Sequence, residues 1–501
     1  MIGLVSLFLG FSFLCLWLYF QRSRNLPPGP LPFPVFGNLP HFGIGVLRGK
    51  TVVQVMRDWK ARFGPAMTVW LGPIPAVFVT DFDLAVDLFV RQGDAFVDRL
   101  KPPVFAATRK GLGIVMSEGD LWVEQRRFAL HTLRNFGLGK NLMQEKILAE
   151  FHKQMAPVER ALDAAGGEAK VDPKRTFSLL IGSIINSLLV GVTFDENNCQ
   201  DFLVLKAKMD SLGNNLRLTD FFFGRIPLIS KQYDKSVDVQ MEVIDHLKGI
   251  FQKRKRQIKS GEYSLENGPQ DFIDAYILEM ERRTSNDMGY FSEEQLYASL
   301  LDMWAAGQET MIATLMWGTI MLVNHPEAQE RMREEIVGVV GSERDVEESD
   351  RRSLPYTLAT INEIQRIASI INFNFFVKST RETSCGEYTL PSGTVAAIIM
   401  SVIFQDDVNF INPLEFKPSR FLEGEKGKQQ MQKMIPFGLG KRACMGEGLA
   451  RAELFLIMTN LIKNYRITST APDKRVPEAP VKLLSIFRRP QAFECLFQKV
   501  N

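Results

Sequence analysis

One cysteine near the C-terminus has the surroundings of a reactive thiolate. Cys444 lies where a loop with glycines at 438, 440 and 446 changes into a stretch of helical periodicity. At the start of a helix the sulfur faces backbone N–H groups and the positive end of the helix dipole, which stabilise a thiolate. The glycines allow a flat partner to approach the backbone closely. A buried and inert thiol is the alternative for an isolated cysteine in this position.

An acid and an alcohol stand next to each other in a long apolar stretch. Glu309 and Thr310 follow Gly307 there, with large apolar residues on both sides. A glycine inside a helix costs about 1 kcal/mol relative to alanine, so its presence indicates that room is needed. Buried polar groups require partners or a chemical role. Close packing of another helix is the alternative use of the glycine.

A single long helix is expected to position the acid and the alcohol. Ser292-Glu293-Glu294-Gln295 is a capping-box pattern, and His325-Pro326 ends the helical periodicity. The helix is therefore predicted over residues 292–324. At about 1.5 Å per residue it would measure about 50 Å, which is enough to traverse a domain.

The composition favours a folded, mainly helical protein. The 501 residues include 60 basic and 57 acidic side chains, so the net charge is only +3, and 46% of the residues are hydrophobic. Long disorder and a nucleic-acid partner are both excluded, because the first needs low hydrophobicity and the second a basic excess. Helical periodicity prevails, and two short β-like runs, at 66–80 and 387–399, predict hairpins. The expected fold class is mainly α with a minor β subdomain.

The five cysteines are few and scattered. They are Cys15, Cys199, Cys385, Cys444 and Cys495. An odd number with no C-x-x-C pair argues against a disulfide framework and against a structural zinc site. The folded part is expected in a reducing compartment.

The N-terminus has the pattern of a membrane anchor. Residues 3–20 carry no charge and are long enough to cross a bilayer as a helix, and Arg22 and Arg24 follow at once. We expect an uncleaved transmembrane anchor at 1–21, with the body in the cytosol by the positive-inside rule. A cleaved signal peptide is the alternative, but no small-residue cleavage site follows the apolar run.

A basic and proline-rich segment follows the anchor. It covers residues 22–40 and includes Pro27, Pro28, Pro30, Pro32 and Pro34. Proline fixes φ and disfavours helix in the residue before it, so the segment is predicted to be a stiff, extended hinge. A proline-rich ligand for another protein is the alternative. Residues 41–501 would then form one large domain.

The loop around Cys444 resembles the haem-binding segment of the cytochromes P450, which are haem-thiolate monooxygenases. Phe437-x-x-Gly440-x-Arg442-x-Cys444-x-Gly446 matches the signature at every fixed position. Similarity extends along the chain to a microsomal, family 2-like branch. Further motifs in the expected order are Trp122-x-x-x-Arg126, Ala306-Gly307-Gln308-Glu309-Thr310, Glu363-x-x-Arg366 and Pro418-Ser419-Arg420-Phe421.

The resemblance implies a haem b cofactor with Cys444 as the axial ligand of the iron. A thiolate ligand pushes electron density onto iron and favours O–O cleavage. Arg126 and Arg442 would each offer a fork of donors to a haem propionate, and Trp122 its indole N–H. The residues expected to contact haem are Cys444, Trp122, Arg126, Arg442, Phe437, Gly438 and Gly446.

Two further groups of residues take their roles from the resemblance. Thr310 and Glu309 would hold water and relay protons during oxygen activation, with Gly307 loosening the helix. Family members that rearrange peroxides or act as isomerases or dehydratases tend to depart from this acid–alcohol pair. The intact pair therefore favours a monooxygenase over a reductase-independent isomerase or dehydratase, and over a non-catalytic haem sensor or carrier. Glu363, Arg366 and Arg420 are expected to form a structural charge cluster.

The resemblance also implies redox partners and a location. Electrons from NADPH would arrive through NADPH–cytochrome P450 reductase, with cytochrome b5 as a further donor. A basic docking face is expected at Arg127, Arg134, Lys140, Lys433 and Lys441, scattered solubilising charge being the alternative. The protein would be anchored in the endoplasmic reticulum membrane by a single span, with its catalytic domain on the cytosolic face.

The substrate is expected to be lipophilic and to enter from the bilayer through a lid at residues 216–229. Fatty acids, eicosanoids, steroids and xenobiotics all fit this expectation. One departure from the family 2 pattern is Phe376-Val377, where a Pro-His pair is common and the His reaches a propionate. Asn374 could orient a polar substrate group or could cap a turn. The expected pocket residues are Ile114, Val115, Met303, Ala306, Asn374, Phe375 and Ile486.

Overall fold

The computed structural model describes residues 10, 11, 13, 14, 25–137, 141–215, 223–224, 231–283, 289–471, 474–482 and 487–500. Most of the predicted anchor and of the predicted lid, together with Lys140 and Ile486, lie outside these residues. Within the described part of the chain, no helix combines the length and the apolar character needed to cross a bilayer.

Helices make up most of the described chain, as expected from the periodicity. In chain order they are α1 (Leu39–Leu47), α2 (Val52–Phe63), α3 (Phe82–Val86), α4 (Pro103–Arg109), α5 (Gly119–Asn135), α6 (Asn141–Ala164), α7 (Pro173–Val190), α8 (Gln200–Asn215), α9 (Lys231–Ser260), α10 (Phe272–Arg282), α11 (Glu293–Asn324), α12 (Pro326–Val340), α13 (Pro355–Ala368), α14 (Met400–Phe404), α15 (Gly424–Gln432) and α16 (Glu447–Asn464). Short 3-10 turns cover Gly93–Ala95, Glu348–Ser353 and Pro418–Leu422.

The strands form a smaller part beside the helices. They are β1 (Ala66–Leu71), β2 (Ile74–Val79), β3 (Asp98–Arg99), β4 (Glu168–Val171), β5 (Val377–Lys378), β6 (Thr383–Cys385), β7 (Tyr388–Leu390), β8 (Val395–Ile398), β9 (Tyr465–Ser469) and β10 (Cys495–Lys499). In the described residues they build a five-stranded sheet of order β1-β2-β8-β5-β3, a three-stranded sheet of order β4-β10-β9 and the pair β6-β7.

The first predicted hairpin is confirmed and the second is wrong. β1 and β2 pair antiparallel up to Leu71 opposite Ile74, around Gly72 with φ +63°. β7 instead pairs with β6, while β8 lies between β2 and β5 in the larger sheet. All four residues of β8 are buried. A strand that is apolar on both faces gains more from a central position in a covered sheet than from a local hairpin.

The long helix α11 begins and ends within one residue of its predicted bounds. Ser292 is its N-cap, and its hydroxyl accepts from the N–H of Gln295 at 3.2 Å. The reciprocal half of the predicted capping box is not formed in the described structure, because the Gln295 amide bonds instead to both backbone groups of Gly113. α11 packs against α7, α9, α13 and α16 and therefore passes through the centre of the domain.

The described part of the predicted hinge, from residue 25 onward, is bonded to the domain. The hydroxyl of Thr68 in β1 donates to the carbonyl of Pro27 at 2.6 Å. The backbone N–H of Thr68 donates to the carbonyl of Pro28 at 3.1 Å. Asn38 accepts from the N–H of Trp70 at 2.7 Å. Pro27 and Pro28 therefore lie against β1, and the role of the segment as a hinge stays a prediction.

Candidate active site

Cys444 lies at the end of a tight loop that precedes α16. Its N–H donates to the carbonyl of Phe437 at 2.9 Å and closes the loop. Gly438 and Gly440 have φ values of +75° and +76°, which glycine adopts at low cost. A Cβ on Gly440 would lie 1.9 Å from the carbonyl oxygen of Phe89, whereas one on Gly438 would meet no described atom within 4 Å. Gly440 thus allows the loop to pack against the backbone of Phe89. Gly438 leaves open space beside the loop.

Cys444 is exposed as a residue, although protein atoms surround its thiol closely. Burial raises the pKa of the Cys444 thiol above its ordinary value. The N–H groups of Gly446 and Glu447 and the Arg126 guanidinium act in the opposite direction but do not outweigh it. The backbone N–H groups at the helix start thus favour a thiolate as expected, but burial has the larger effect, and a coordinated metal would further favour the thiolate.

Three arginine side chains, one buried and two half-buried, meet beside this loop. They belong to Arg99 in β3, Arg126 in α5 and Arg442. Within the described chain, none of the three forms an ion pair with a carboxylate, and Nη1 of Arg442 is buried with no hydrogen-bond partner. Their acceptors are backbone carbonyl oxygens at 2.6–3.1 Å, those of Val115 and Phe375 for Arg99, of Ala443 for Arg126, and of Val97 and Ser117 for Arg442.

The charges of this cluster call for an anionic partner. Burial, with repulsion from Arg99 and Arg126, lowers the pKa of Arg442 to about 8. Burial and repulsion from Arg126 lower the pKa of Arg99 to about 10. Buried charge without a counter-charge is costly, so the cluster fits a ligand that brings carboxylates. A haem with two propionates meets that requirement, and the open face of Gly438 suits a flat ring.

Trp122 holds part of the cluster by its ring face. The Cζ atom of Arg442 lies 3.8 Å from the centroid of the Trp122 ring, and that of Arg126 lies 6.0 Å away. The first distance is that of a cation–π contact. The structure thus brings Trp122, Arg126 and Arg442 together.

Arg99 was not among the residues expected from the sequence. It is paired across the sheet with Val377 in β5, the position where the family 2 pattern commonly has histidine. An arginine on the neighbouring strand therefore supplies the positive charge at this end of the sheet. No local pattern marks Arg99, because its burial depends on two short strands that are far apart in the chain.

A cavity lies between α11 and the Cys444 loop. Thr310, Met311 and Thr314 line it from α11, and Phe437 lines it from the loop. The Thr310 hydroxyl donates to the carbonyl of Ala306 at 2.8 Å. A hydroxyl oxygen keeps acceptor capacity after donating, so Thr310 can still bind a water in the cavity.

Glu309 does not share this cavity and is held by two cations. Its Oε1 lies 2.5 Å from Nζ of Lys206 in α8, and its Oε2 lies 2.5 Å from Nη2 of Arg489. Burial alone would lower the pKa of Lys206, but attraction to Glu309 and Asp210 outweighs it and raises the pKa. Both carboxylate oxygens of Glu309 are therefore paired with cations in this conformation, and Thr310 alone of the two residues lines the cavity. The relay by Glu309 and Thr310 stays a prediction.

Gly307 serves helix packing. A Cβ at this position would lie 2.7 Å from Cδ1 of Ile185 in α7. α11 remains a regular α-helix through the glycine. The expectation that Gly307 loosens the helix is therefore replaced by the alternative of close packing.

Glu363, Arg366 and Arg420 form a fully buried network. Arg366 donates through Nε and Nη2 to the two oxygens of Glu363, both at 2.8 Å. Arg420 donates to the same carboxylate at 3.0 Å. The remaining donors of both arginines bond to backbone carbonyls between Phe404 and Glu415. The cluster ties α13 to the segment before α15.

The expected pocket residues occupy different environments. Ala306 is exposed on α11, and Met303, one turn before it, is buried. The Phe375 ring packs edge-on against the Phe105 ring, with 6.0 Å between the two ring centroids. Oδ1 of Asn374 accepts from the N–H of Ile398 at 2.7 Å. This bond gives Asn374 a structural role, and its role as a substrate ligand stays a prediction.

Comparison with known proteins gives a consistent result. A family model described as Cytochrome P450 matches residues 27–497. Cytochrome P450 2B2 of Rattus norvegicus is 32% identical over 501 residues, which cover 99% of this chain and 98% of the rat protein. Cytochrome P450 2C8 of Homo sapiens is 31% identical over 459 residues, or 91% of this chain and 90% of the human protein. The probable cytochrome P450 cyp-35D1 of Caenorhabditis elegans is 31% identical over 459 residues, which cover 89% of this chain and 90% of the nematode protein.

Proposed function

Since the chain belongs to the cytochrome P450 family of monooxygenases, we propose that it inserts one atom of molecular oxygen into a lipophilic organic substrate. Two observations carry the proposal. Thr310 and Phe437 line the same cavity, and three largely buried arginines near the Cys444 loop have no ion pair with a carboxylate in the described residues. Bound haem supplies the activation of oxygen, with a thiolate ligand that favours O–O cleavage.

The residues around Cys444 would hold that cofactor. Cys444 would ligate the iron, and Phe437 and Gly438 would lie against the ring. Arg99, Arg126 and Arg442 would bind the propionates. The unpaired Nη1 of Arg442 supports this assignment, because a buried donor without an acceptor is expensive to keep.

Thr310 would hold a water in the cavity and pass protons from it. The choice of a monooxygenase over an isomerase or a dehydratase now depends on this hydroxyl. Glu309 could contribute only after separating from Lys206 and Arg489, since both cations hold its oxygens in the present conformation.

A lipophilic substrate is supported by the apolar side chains at the predicted pocket positions. Ile114, Met303, Ala306 and Phe375 offer no charge to a ligand. Asn374 is bonded to the backbone of Ile398 through Oδ1. Fatty acids, eicosanoids, steroids and xenobiotics agree equally well with this surface.

Electrons would come from NADPH through a flavoprotein reductase, with cytochrome b5 as a second donor. Arg127 and Arg134 are exposed on α5, the helix that also carries Trp122 and Arg126. Complementary charge there would steer a partner to the haem side of the domain. Lys441 is ion-paired with Asp94, which reduces its contribution to such a face. The uncharged run at 3–20 supports a single-span anchor in the endoplasmic reticulum, with the domain in the cytosol.

The spectrum of the purified, dithionite-reduced protein under carbon monoxide tests the assignment. We expect the long-wavelength Soret band of a thiolate-ligated haem, and Cys444→His should abolish it while leaving the protein folded by circular dichroism. Protein without haem, or wild-type protein with the spectrum of a histidine-ligated haem, would refute the proposed function.

A further inference from the structure

A single carboxylate beside the three arginines described above, that of Glu118, bonds to two other segments of the chain. Glu118 is the N-cap residue of α5, but its side chain makes no bond to the helix N–H groups. Instead Oε1 accepts from the backbone N–H of Arg99 at 2.8 Å, and Oε2 lies 2.5 Å from Nζ of Lys101. Nζ of Lys378 lies 3.5 Å from Oε1. Glu118 therefore joins the start of α5 to the β3 segment and to β5.

The segments that Glu118 joins carry or contact all three arginines. Arg99 lies in β3, and Arg126 lies about two turns after Glu118 on α5. The carbonyl oxygen of Ser117, the residue before Glu118, accepts from Nη2 of Arg442 at 2.6 Å. A displacement of Glu118 is therefore expected to change the positions of three guanidinium groups together.

The pairing of β3 is short, and a side-chain bond adds to it. β3 has two residues and lies at the edge of the five-stranded sheet, where it pairs with β5. An edge strand leaves part of its backbone without a partner strand. The Arg99 N–H has its acceptor in the Glu118 carboxylate, and a hydrogen bond to a charged group contributes more than a neutral one. The position of Arg99 thus depends on a residue outside its own sheet.

Glu118 also brings negative charge to a place where positive charges repel one another. Burial and repulsion from the other two arginines disfavour the charged form of Arg442, while attraction to Glu118 and Asp98 favours it. The two lysine partners of Glu118 are partly exposed to solvent, which weakens their hold on its charge. Glu118 therefore supports the three arginines by its charge as well as by its hydrogen bond.

We propose that Glu118 is a positioning residue for the haem, which holds the three arginines where they meet the propionates and favours ferric iron through its negative charge. In this role Glu118 acts through Arg99 and the start of α5. Ferric haem carries one more positive charge than ferrous haem, so a nearby carboxylate favours the ferric form. The inference rests on the proposed function, because it takes the three arginines as the site of the propionates.

Haem release from the full-length, haem-loaded protein tests the positioning role. Transfer of the haem to an excess of apomyoglobin gives the rate of release. We expect Glu118→Ala to release haem about tenfold faster than the wild type, the equivalent of one hydrogen bond to a charged group. Glu118→Gln keeps an oxygen for the Arg99 N–H, so its rate of release should lie between those of Glu118→Ala and the wild type.

Glu124→Gln is the matched control, because Glu124 lies on the same helix and is ion-paired with Arg283 at a comparable exposure. Haem release from this variant should match the wild type. If Glu118→Ala does not fold, Glu118→Gln is compared with Glu124→Gln. Release from the Glu118 variants at the wild-type rate would overturn the proposal, whereas wild-type protein without haem would refute the proposed function.

The reduction potential of the iron distinguishes the charge of Glu118 from a general loosening of the structure. Glu118→Gln removes a negative charge and should move the potential to a more positive value, whereas Lys101→Gln removes a positive charge and should move it to a more negative value. Loosening alone would move the potential of both variants in the same direction. Potentials equal to that of the wild type, or shifts of the same sign, would contradict the proposed effect of the charge.

Discussion

Glu309 and Arg489 form an ion pair in which Oε2 of the carboxylate lies 2.5 Å from Nη2 of the guanidinium. The other carboxylate oxygen is paired with Lys206, which also pairs with Asp210 one turn further along α8. The middle of α11 is thus joined to α8 and to the chain that follows Phe487. Glu309 holds three segments together around the cavity and does not reach into it.

The first prediction concerns the pair of Glu309 and Lys206. Glu309→Gln and Lys206→Gln should each destabilise the protein by about 2 kcal/mol or more, because each leaves a largely buried charge with one partner fewer. The double variant should lose less than the sum, with a coupling free energy of about 1–3 kcal/mol from urea unfolding. The control is Lys174→Gln, which removes an exposed partner of Asp210 and should show little coupling to Glu309→Gln. Additive effects of Glu309 and Lys206 would contradict the pairing.

The second prediction separates Thr310 from its neighbour. Thr310→Ala should bind haem and consume NADPH, while product per NADPH falls about tenfold or more and hydrogen peroxide rises, because the cavity loses the hydroxyl that holds water. Thr319→Ala is matched, since its hydroxyl makes the same bond to the carbonyl four residues earlier. If Thr310→Ala gives the same yield of product per NADPH as the wild type, the hydroxyl takes no part in proton delivery.

The third prediction follows from a buried acid in α16. Glu453 is fully buried, neither carboxyl oxygen has a hydrogen-bond partner among the described residues, and burial raises its pKa to about 8. At a pH below 4.5, the ordinary pKa of glutamate, Glu453 is protonated in both the folded and the unfolded state. Between that value and about 8 the unfolded chain loses the proton and the folded protein keeps it, so stability falls as pH rises.

Urea unfolding of the wild type and of Glu453→Gln at several pH values measures this effect. The free energy of unfolding of the wild type relative to the variant should fall by up to roughly 1.4 kcal/mol per pH unit in that window and level off above it. Glu425→Gln, at an exposed site in α15, should show no such trend. A difference between the wild type and Glu453→Gln that is flat with pH would show that Glu453 titrates normally.

The fourth prediction compares two Glu–Arg pairs of equal sequence spacing. Glu363→Gln should cost about 3–5 kcal/mol and reduce the yield of haem-loaded protein, because Arg366 and Arg420 would remain buried without their carboxylate. Glu348→Gln breaks a similar pair with Arg351, whose two side chains are partly exposed, and should cost less than about 1 kcal/mol. Equal losses in chemical denaturation would mean that burial does not set the difference.

The fifth prediction addresses the membrane anchor. An epitope tag placed before Met1 should be protected from protease in sealed microsomes while the domain is digested, because Arg22 and Arg24 favour the cytosolic side. Detergent should expose the tag. Digestion of the tag in sealed microsomes would show that the N-terminus faces the cytosol, which contradicts the predicted orientation.

Features that depend on neighbouring residues could be predicted from the sequence. The bounds of α11 follow from Ser292 and from His325-Pro326, and the β1–β2 hairpin follows from Gly72-Pro73. The loop of Cys444 was recognisable because its glycines and arginine have fixed spacing along one short segment. Each of these depends on local backbone preferences, which adjacent side chains control.

Long-range packing decided the rest of the site. Adjacent residues of a helix point about 100° apart, so which of Glu309 and Thr310 faces the cavity depends on where α8 and Arg489 pack. Arg99 is buried because β3 pairs with a strand almost 280 residues away in the chain, and Asp302 finds Arg109 only when α4 and α11 meet. A charge buried in this way needs a partner supplied by another segment, and no local pattern shows which segment that is.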